Sequence, residues 1–152
     1  MHRVKVYTVE KEINDEYETI AKSYKKMISK YARFEHSVCF NKTVAKAQKG
    51  EASRAKKSYT DVYEKKLGRF NIALDEKGKM LDSIKFSKIF EKEDEIHFFI
   101  GGAYGFEDKF LDNCDEVISL SKLTFSHKIA KIVLFEQIYR ALSIVNHHPY
   151  HK

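Results

Sequence analysis

The chain ends Asn146-His147-His148-Pro149-Tyr150-His151-Lys152, three imidazoles, a phenol and an ammonium directly behind a long apolar stretch. Imidazole titrates near neutral pH and so can take or return a proton during a reaction. His147, His148 and His151 lack the helical His-x-x-x-His pairing with a nearby Glu that holds zinc, so no metal is expected. Chain ends are often mobile, and the residues alone leave a frayed tail and a functional one both open.

A second group is Ile100-Gly101-Gly102-Ala103-Tyr104-Gly105. Without side chains, backbone amides can approach a ligand closely, yet glycines also serve tight strand-to-helix turns. The dinucleotide spacing G-x-G-x-x-G is absent, as are a phosphate-loop lysine followed by Ser or Thr and a Gly-x-Ser-x-Gly nucleophile turn. The cluster follows an apolar run, and the carboxyl end of a buried strand is where open α/β sheets bind ligands.

A third feature is charge. Between Asn41 and Arg69 stand nine cations (Lys42, Lys46, Lys49, Arg54, Lys56, Lys57, Lys65, Lys66, Arg69) and three acids (Glu51, Asp61, Glu64), an excess equal to the +6 of the whole chain. Such a segment either tracks a phosphate backbone or is a solvated helix face.

The elements that must position these groups follow from periodicity. Arg3–Val9 alternates as a strand, and Ile13, Tyr17, Ile20, Tyr24, Met27, Ile28 and Tyr31 recur at helical spacing. Phe34–Phe40 reads as a second strand, and Ala52, Ala55, Tyr59, Val62 and Tyr63 as one stripe of a helix. Phe70–Leu74 and Ile96–Ile100 are apolar runs suited to strands buried on both faces, with Met80–Phe90 as the crossover helix between them. Val117–Leu120 is a last strand, and Ser126 caps a helix from His127 to about Val145. The alternation implies an α/β fold, a mainly parallel sheet with helices on both faces. The final helix is apolar on two sides, which calls for two burial partners and therefore a dimer interface.

At 152 residues, without Pro/Ser-rich linkers or repeats, one domain over 1–152 is expected. No apolar run approaches the roughly 20 residues of a membrane helix, and the first residues lack the apolar core of a signal peptide. Cys39 and Cys114 stand alone, outside zinc or disulfide spacings, so a reduced, cytoplasmic setting is expected.

Three stretches taken together resemble the RlmH family, which methylates N3 of a pseudouridine in 23S ribosomal RNA. They are Phe99-Ile100-Gly101-Gly102, then Ile118 to His127 (Ile-Ser-Leu-Ser-Lys-Leu-Thr-Phe-Ser-His), then Glu136-Gln137-Ile138-Tyr139-Arg140-Ala141 with the terminal Pro149-Tyr150-His151-Lys152. The resemblance is close from Phe99 onward and rests on βα order before it.

It implies a SPOUT fold with a trefoil knot in the C-terminal half, S-adenosylmethionine as methyl donor, and two subunits packing to complete the site. The implied substrate is 23S ribosomal RNA in the large subunit or whole ribosome. Carried over by position, Leu74, Gly102, Ser121, Lys122, Leu123, Thr124, Phe125 and Ser126 would hold the cofactor. His151 would accept the imide proton, Arg140 would pin a phosphate or developing charge, Tyr150 would contact the base, and Lys152 would pair with phosphate. An ion pair with Glu136, one turn away, is the other reading of Arg140. The competing function is a non-enzymatic, basic RNA-binding assembly factor, which would need no adenosyl pocket.

Overall fold

Five short apolar runs become the strands of one sheet. The computed structural model describes residues 1–152, in the order β1 (His2–Thr8), α1 (Glu16–Ile28), β2 (Ala32–Val38), α2 (Lys42–Gln48), α3 (Ala52–Tyr63), β3 (Asn71–Met80), α4 (Ser83–Lys92), β4 (Glu95–Ile100), α5 (Asp108–Asp112), β5 (Glu116–Ser119) and α6 (His127–Val145). The sheet order is β2-β1-β4-β3-β5 and every pairing is parallel.

Crossover helices cover both faces, which explains why the inner strands are apolar on successive residues rather than alternate ones. On one face Val4, Val6, Ile72, Ile96, Phe98 and Ile100 pack against α1, α4 and α6. On the other, Tyr7, Ala73 and Phe99 lie under α2, α3 and α5, where Tyr59, Tyr63 and Phe110 are fully buried. The Tyr63 hydroxyl donates to the carbonyls of Ile100 at 2.6 Å and Tyr7 at 3.1 Å, tying α3 to two strand ends.

β2 runs Ala32–Val38 rather than Phe34–Phe40, β1 and β5 are displaced by one residue, and three further boundaries differ for a local reason. α1 begins after Asp15, whose carboxylate accepts from the Glu18 amide at 3.0 Å, so Ile13 precedes the helix, and Ile20 turns outward. α4 is capped by Asp82 and starts at Ser83, leaving Met80 outside it. β3 continues to Met80 instead of stopping at Leu74, with Leu74 and Lys79 both opposite Ile118 of β5. The charged Asp75–Lys77 segment hides this continuation, and Gly78 permits it: a Cβ there would stand 2.6 Å from the backbone of Val117 and Ile118.

One ionic group lies inside the α1–α6 layer. Lys131, 2% exposed, donates to Glu10 Oε1 at 2.8 Å and Glu18 Oε2 at 3.2 Å. Burial alone would raise the Glu18 carboxyl, but the charge and hydrogen bond of Lys131 outweigh it and hold the group below its ordinary range. His36 Nε2 is 2.8 Å from the Thr8 hydroxyl, and burial first, then Lys131 and Lys25, push the imidazole down to about 3.

Folded His36 therefore stays neutral where the unfolded chain, with an ordinary value of 6.5, takes up a proton. The unfolded state binds more protons in that window, so stability declines as pH drops from about 6.5 toward about 3. Between about pH 7.5 and about pH 5 this amounts to a loss of about 2 kcal/mol that His36→Gln should abolish, as urea midpoints at the two pH values will show.

Candidate functional site

β4 ends at Ile100 opposite Leu74, partway along β3, with β5 pairing on the other side of β3. Residues 75–77 of β3 and the segments that follow β4 and β5, 101–106 and 120–126, surround a cleft of about 600 Å³ with Lys56 of α3 and the start of α6 at His127 and Ala130.

Local chemistry shapes each wall. Residues 102–105 form a tight turn, Gly105 donating to the Gly102 carbonyl at 3.1 Å, with Gly105 at φ 80°, a conformation glycine adopts freely. A Cβ at Gly102 would lie 2.4 Å from the Tyr59 ring, which is fully buried and held by a 2.6 Å hydrogen bond from its hydroxyl to Gln48 Oε1. Gly102→Ala should therefore displace the turn and cost about 1–3 kcal/mol in a urea titration. An unchanged midpoint would mean that Tyr59 yields after all.

Hydroxyls build the 120–126 loop. Ser119 Oγ donates to the Ser121 carbonyl at 2.9 Å, Ser121 Oγ accepts from the Leu123 amide at 2.9 Å, and Ser126 Oγ accepts from the Ile129 amide as the N-cap of α6. Leu123 is 74% exposed, an apolar side chain standing at the rim without a partner.

Of the eight positions expected to hold a cofactor, Leu74, Gly102, Ser121, Leu123, Thr124, Phe125 and Ser126 line this one cleft. Lys122 is exposed and does not line it. Sequence reasoning passed over Asp75 and Glu76, which do, and read Lys56 only as one of the basic segment's cations, although it lines the cleft too. The signal for the two acids was available: they follow directly on Leu74, where the apolar run stops.

The C-terminal tail is ordered rather than frayed. Past Val145 the His147 amide donates to Ile144 and the His148 amide to Ser143, at 3.1 and 2.8 Å, with His147 left-handed at φ 58°. This is the Schellman arrangement, which usually employs glycine and therefore left no trace in the sequence. It turns the chain back so that Tyr150 packs on Tyr139, ring centroids 4.8 Å apart.

Glu136 organises the returning tail. Its Oε1 accepts from Arg140 Nη2 at 2.6 Å, Arg140 Nε at 3.2 Å and the Tyr150 hydroxyl at 2.9 Å, and the guanidinium carbon lies 4.7 Å from the Tyr150 ring centre. Burial and then the Glu136 hydrogen bond raise the Tyr150 phenol, so it holds its proton and acts as a donor. Arg140 Nη1 is 3.1 Å from His151 Nδ1; a guanidinium only donates, so Nδ1 is the accepting nitrogen. Lys152 is exposed.

Arg140, Tyr150 and His151 thus come together, but away from the cleft. The cleft touches α6 at Ala130, and Arg140 is ten residues further on, about 15 Å along a helix.

A family profile described as "Predicted SPOUT methyltransferase" matches residues 2–151. The chain belongs to the SPOUT methyltransferase family. Relatives named "Ribosomal RNA large subunit methyltransferase H" match the chain over almost all of its length. The one from Aliarcobacter butzleri is 47% identical, covering 99% of each chain. That from Campylobacter concisus is 43% identical over 98% of this chain and 99% of its own, and that from Nitratiruptor is 46% identical over the whole of both. No group of three or more His, Cys, Asp or Glu side chains is arranged to hold a metal, and no helix is long and apolar enough to cross a membrane.

Proposed function

We propose that this SPOUT methyltransferase moves a methyl group from S-adenosylmethionine to N3 of a pseudouridine in 23S ribosomal RNA, on the large subunit or assembled ribosome. It does so as a knotted homodimer in the cytoplasm. The observation that carries this reading is the convergence of seven carried-over positions on one cleft.

The cleft suits the cofactor. Its volume falls within the roughly 300–1,000 Å³ of sites that enclose small ligands. The glycine turn and the 120–126 loop offer peptide N–H and C=O groups to the edge of adenine, and Leu74, Leu123 and Phe125 supply apolar cover. Asp75 and Glu76 line the cleft together with Lys56 and Lys77, so both signs of charge are at hand for a donor that carries a sulfonium, an ammonium and a carboxylate. When bound, the sulfonium supplies an electrophilic methyl group; the chain's work is alignment, which can lower such a barrier by roughly 7–11 kcal/mol.

The tail residues act on the substrate. The N3–H of the base must lose its proton, and His151 takes it at Nδ1 once Arg140 turns from that nitrogen toward a phosphate or the charge developing on the base. Tyr150 stacks on or donates to the base, and Lys152 pairs with phosphate.

A second copy brings tail and cleft together. The cleft lies at the first turns of α6 and the tail at its last, so a two-fold pairing along α6 sets the tail of one copy beside the cleft of the other. Ile129, Ile132 and Val133 leave an apolar strip of α6 part-exposed for that contact.

Two measurements test the reading: calorimetric titration with S-adenosylmethionine, and mass spectrometry of 23S ribosomal RNA from cells with and without the protein. Binding together with loss of one methyl from a pseudouridine supports it. A chain that ignores the donor and leaves the RNA mass unaltered is instead a non-enzymatic RNA-binding factor.

A further inference from the structure

The nine cations between Asn41 and Arg69 do not make one surface. α3 begins at the cleft and runs away from it, as Lys56 lines the cleft while the carbonyl of Lys66 meets His97 Nδ1 at 2.9 Å near the start of β4. α2 is fastened to the cleft end: Gln48 receives the Tyr59 hydroxyl at 2.6 Å, and its carbonyl lies 3.5 Å from the Tyr104 hydroxyl of the glycine turn. Lys46, Lys49, Arg54 and Lys56 therefore lie toward the cleft end, with Lys42 about 9 Å back along α2, and Lys65, Lys66 and Arg69 toward the opposite end of the sheet.

None of the five cleft-side cations forms an ion pair, whereas Lys57 is paired with Asp61 at 3.2 Å and Arg69 with Asp94 at 3.6 Å. Lys65 and Lys66 are unpaired as well, so the cleft-side group differs from them in number and in place. Four of them are exposed, and Glu51 is the only acid between Lys42 and Lys57. Unpaired like charges on two short helices repel one another, and a polyanion laid across them relieves that repulsion while releasing its counterions. Tyr104, 41% exposed at the lip, presents an aromatic face of the kind on which an unstacked base settles.

We propose that Lys42, Lys46, Lys49 and Arg54 at the α2–α3 junction dock the sugar–phosphate backbone of the substrate RNA. Lys56 and Tyr104 continue that track to the lip of the methyl-donor cleft. The inference rests on the reading under Proposed function and adds to it the surface and the direction from which RNA arrives. Contacts to phosphate position without selecting sequence, so this surface supplies affinity and leaves base choice to the site.

The test measures binding of purified 23S ribosomal RNA across a salt series, with donor binding measured separately by calorimetry. For Lys46→Gln/Lys49→Gln/Arg54→Gln we expect the slope of log affinity against log salt to flatten by about 2–3, and affinity near physiological salt to drop at least about tenfold. Donor affinity should be unchanged, because none of the three lines the cleft. Lys65→Gln/Lys66→Gln should bind RNA like the parent chain. A triple variant with the parent's slope, or a Lys65/Lys66 variant that loses as much, overturns the docking surface while the methyl-transfer reading stands. The reverse pattern, salt-sensitive RNA binding through these cations in a chain that binds no donor, upholds the surface and removes the enzymatic reading.

Discussion

Removing Tyr150, His151 and Lys152 is expected to slow methyl transfer to ribosomes at least about 100-fold, with donor affinity nearly unaltered. The separation follows from geometry: the tail sits on Glu136 and Arg140 at the last turns of α6, whereas the cleft borders the first. Truncation also strips the Tyr150 ring from Tyr139, so packing and chemistry must be told apart by point changes. Asn at position 151 can still accept from Arg140 but cannot carry a proton away, so His151→Asn should reproduce most of the rate loss without lowering the urea midpoint. Tyr150→Phe keeps the ring under Arg140 and removes only the hydrogen bond to Glu136, and should cost less. Near-normal turnover by the truncated chain would remove the tail from the mechanism. Loss of donor binding would show that the tail supports the cleft instead.

The largest effect on stability is expected at Lys131. Its ammonium answers two carboxylates inside the α1–α6 layer, and Glu10 Oε2 is buried with no hydrogen-bond partner, only His127 Nε2 at 3.6 Å. Lys131→Met strips Glu10 of its lysine and leaves Glu18 only Lys25, at 3.6 Å; breaking a buried pair in this way costs about 3–5 kcal/mol. That is a large share of the roughly 5–15 kcal/mol that holds a domain of this kind folded. Glu10, more deeply enclosed than Glu18, should be the more damaging of the two to strand, so adding Glu10→Gln to Lys131→Met should recover more stability than adding Glu18→Gln. A loss below about 1 kcal/mol for Lys131→Met, read from urea denaturation, would show that water reaches the carboxylates and screens them.

This buried network was illegible beforehand, and the reason is general. Helical periodicity marks which positions of α6 face inward, but Lys131 falls on the inward face of an apolar helix, where a lysine reads as an interruption. Only the arrival of Glu10 from the end of β1 and Glu18 from α1 makes it a paired charge, and those partners are over a hundred residues away in sequence. The expectation for Ile13 and Ile20 failed for a related reason: their spacing suited the stripe, but the Asp15 cap set the start and rotation of α1 differently. The ordered tail went unseen because His147 occupies a left-handed position normally betrayed by glycine.

Other parts of the site were open to reading from composition and order alone. Runs apolar on successive residues, each followed by a helical stripe, specify strands covered on both faces, and hence a parallel sheet whose strand ends form the ligand edge. The glycine turn and the serine-rich loop before α6 announce themselves by residue type, because the conformations they need are available to few others. Tertiary structure alone decided which of these loops meet, that Asp75, Glu76 and Lys56 join them, that the basic segment divides between two ends of the sheet, and that Arg140, Tyr150 and His151 gather on Glu136 away from the cleft. Local sequence sets the conformation a segment prefers, whereas long-range burial and pairing set its neighbours, and a site is a statement about neighbours.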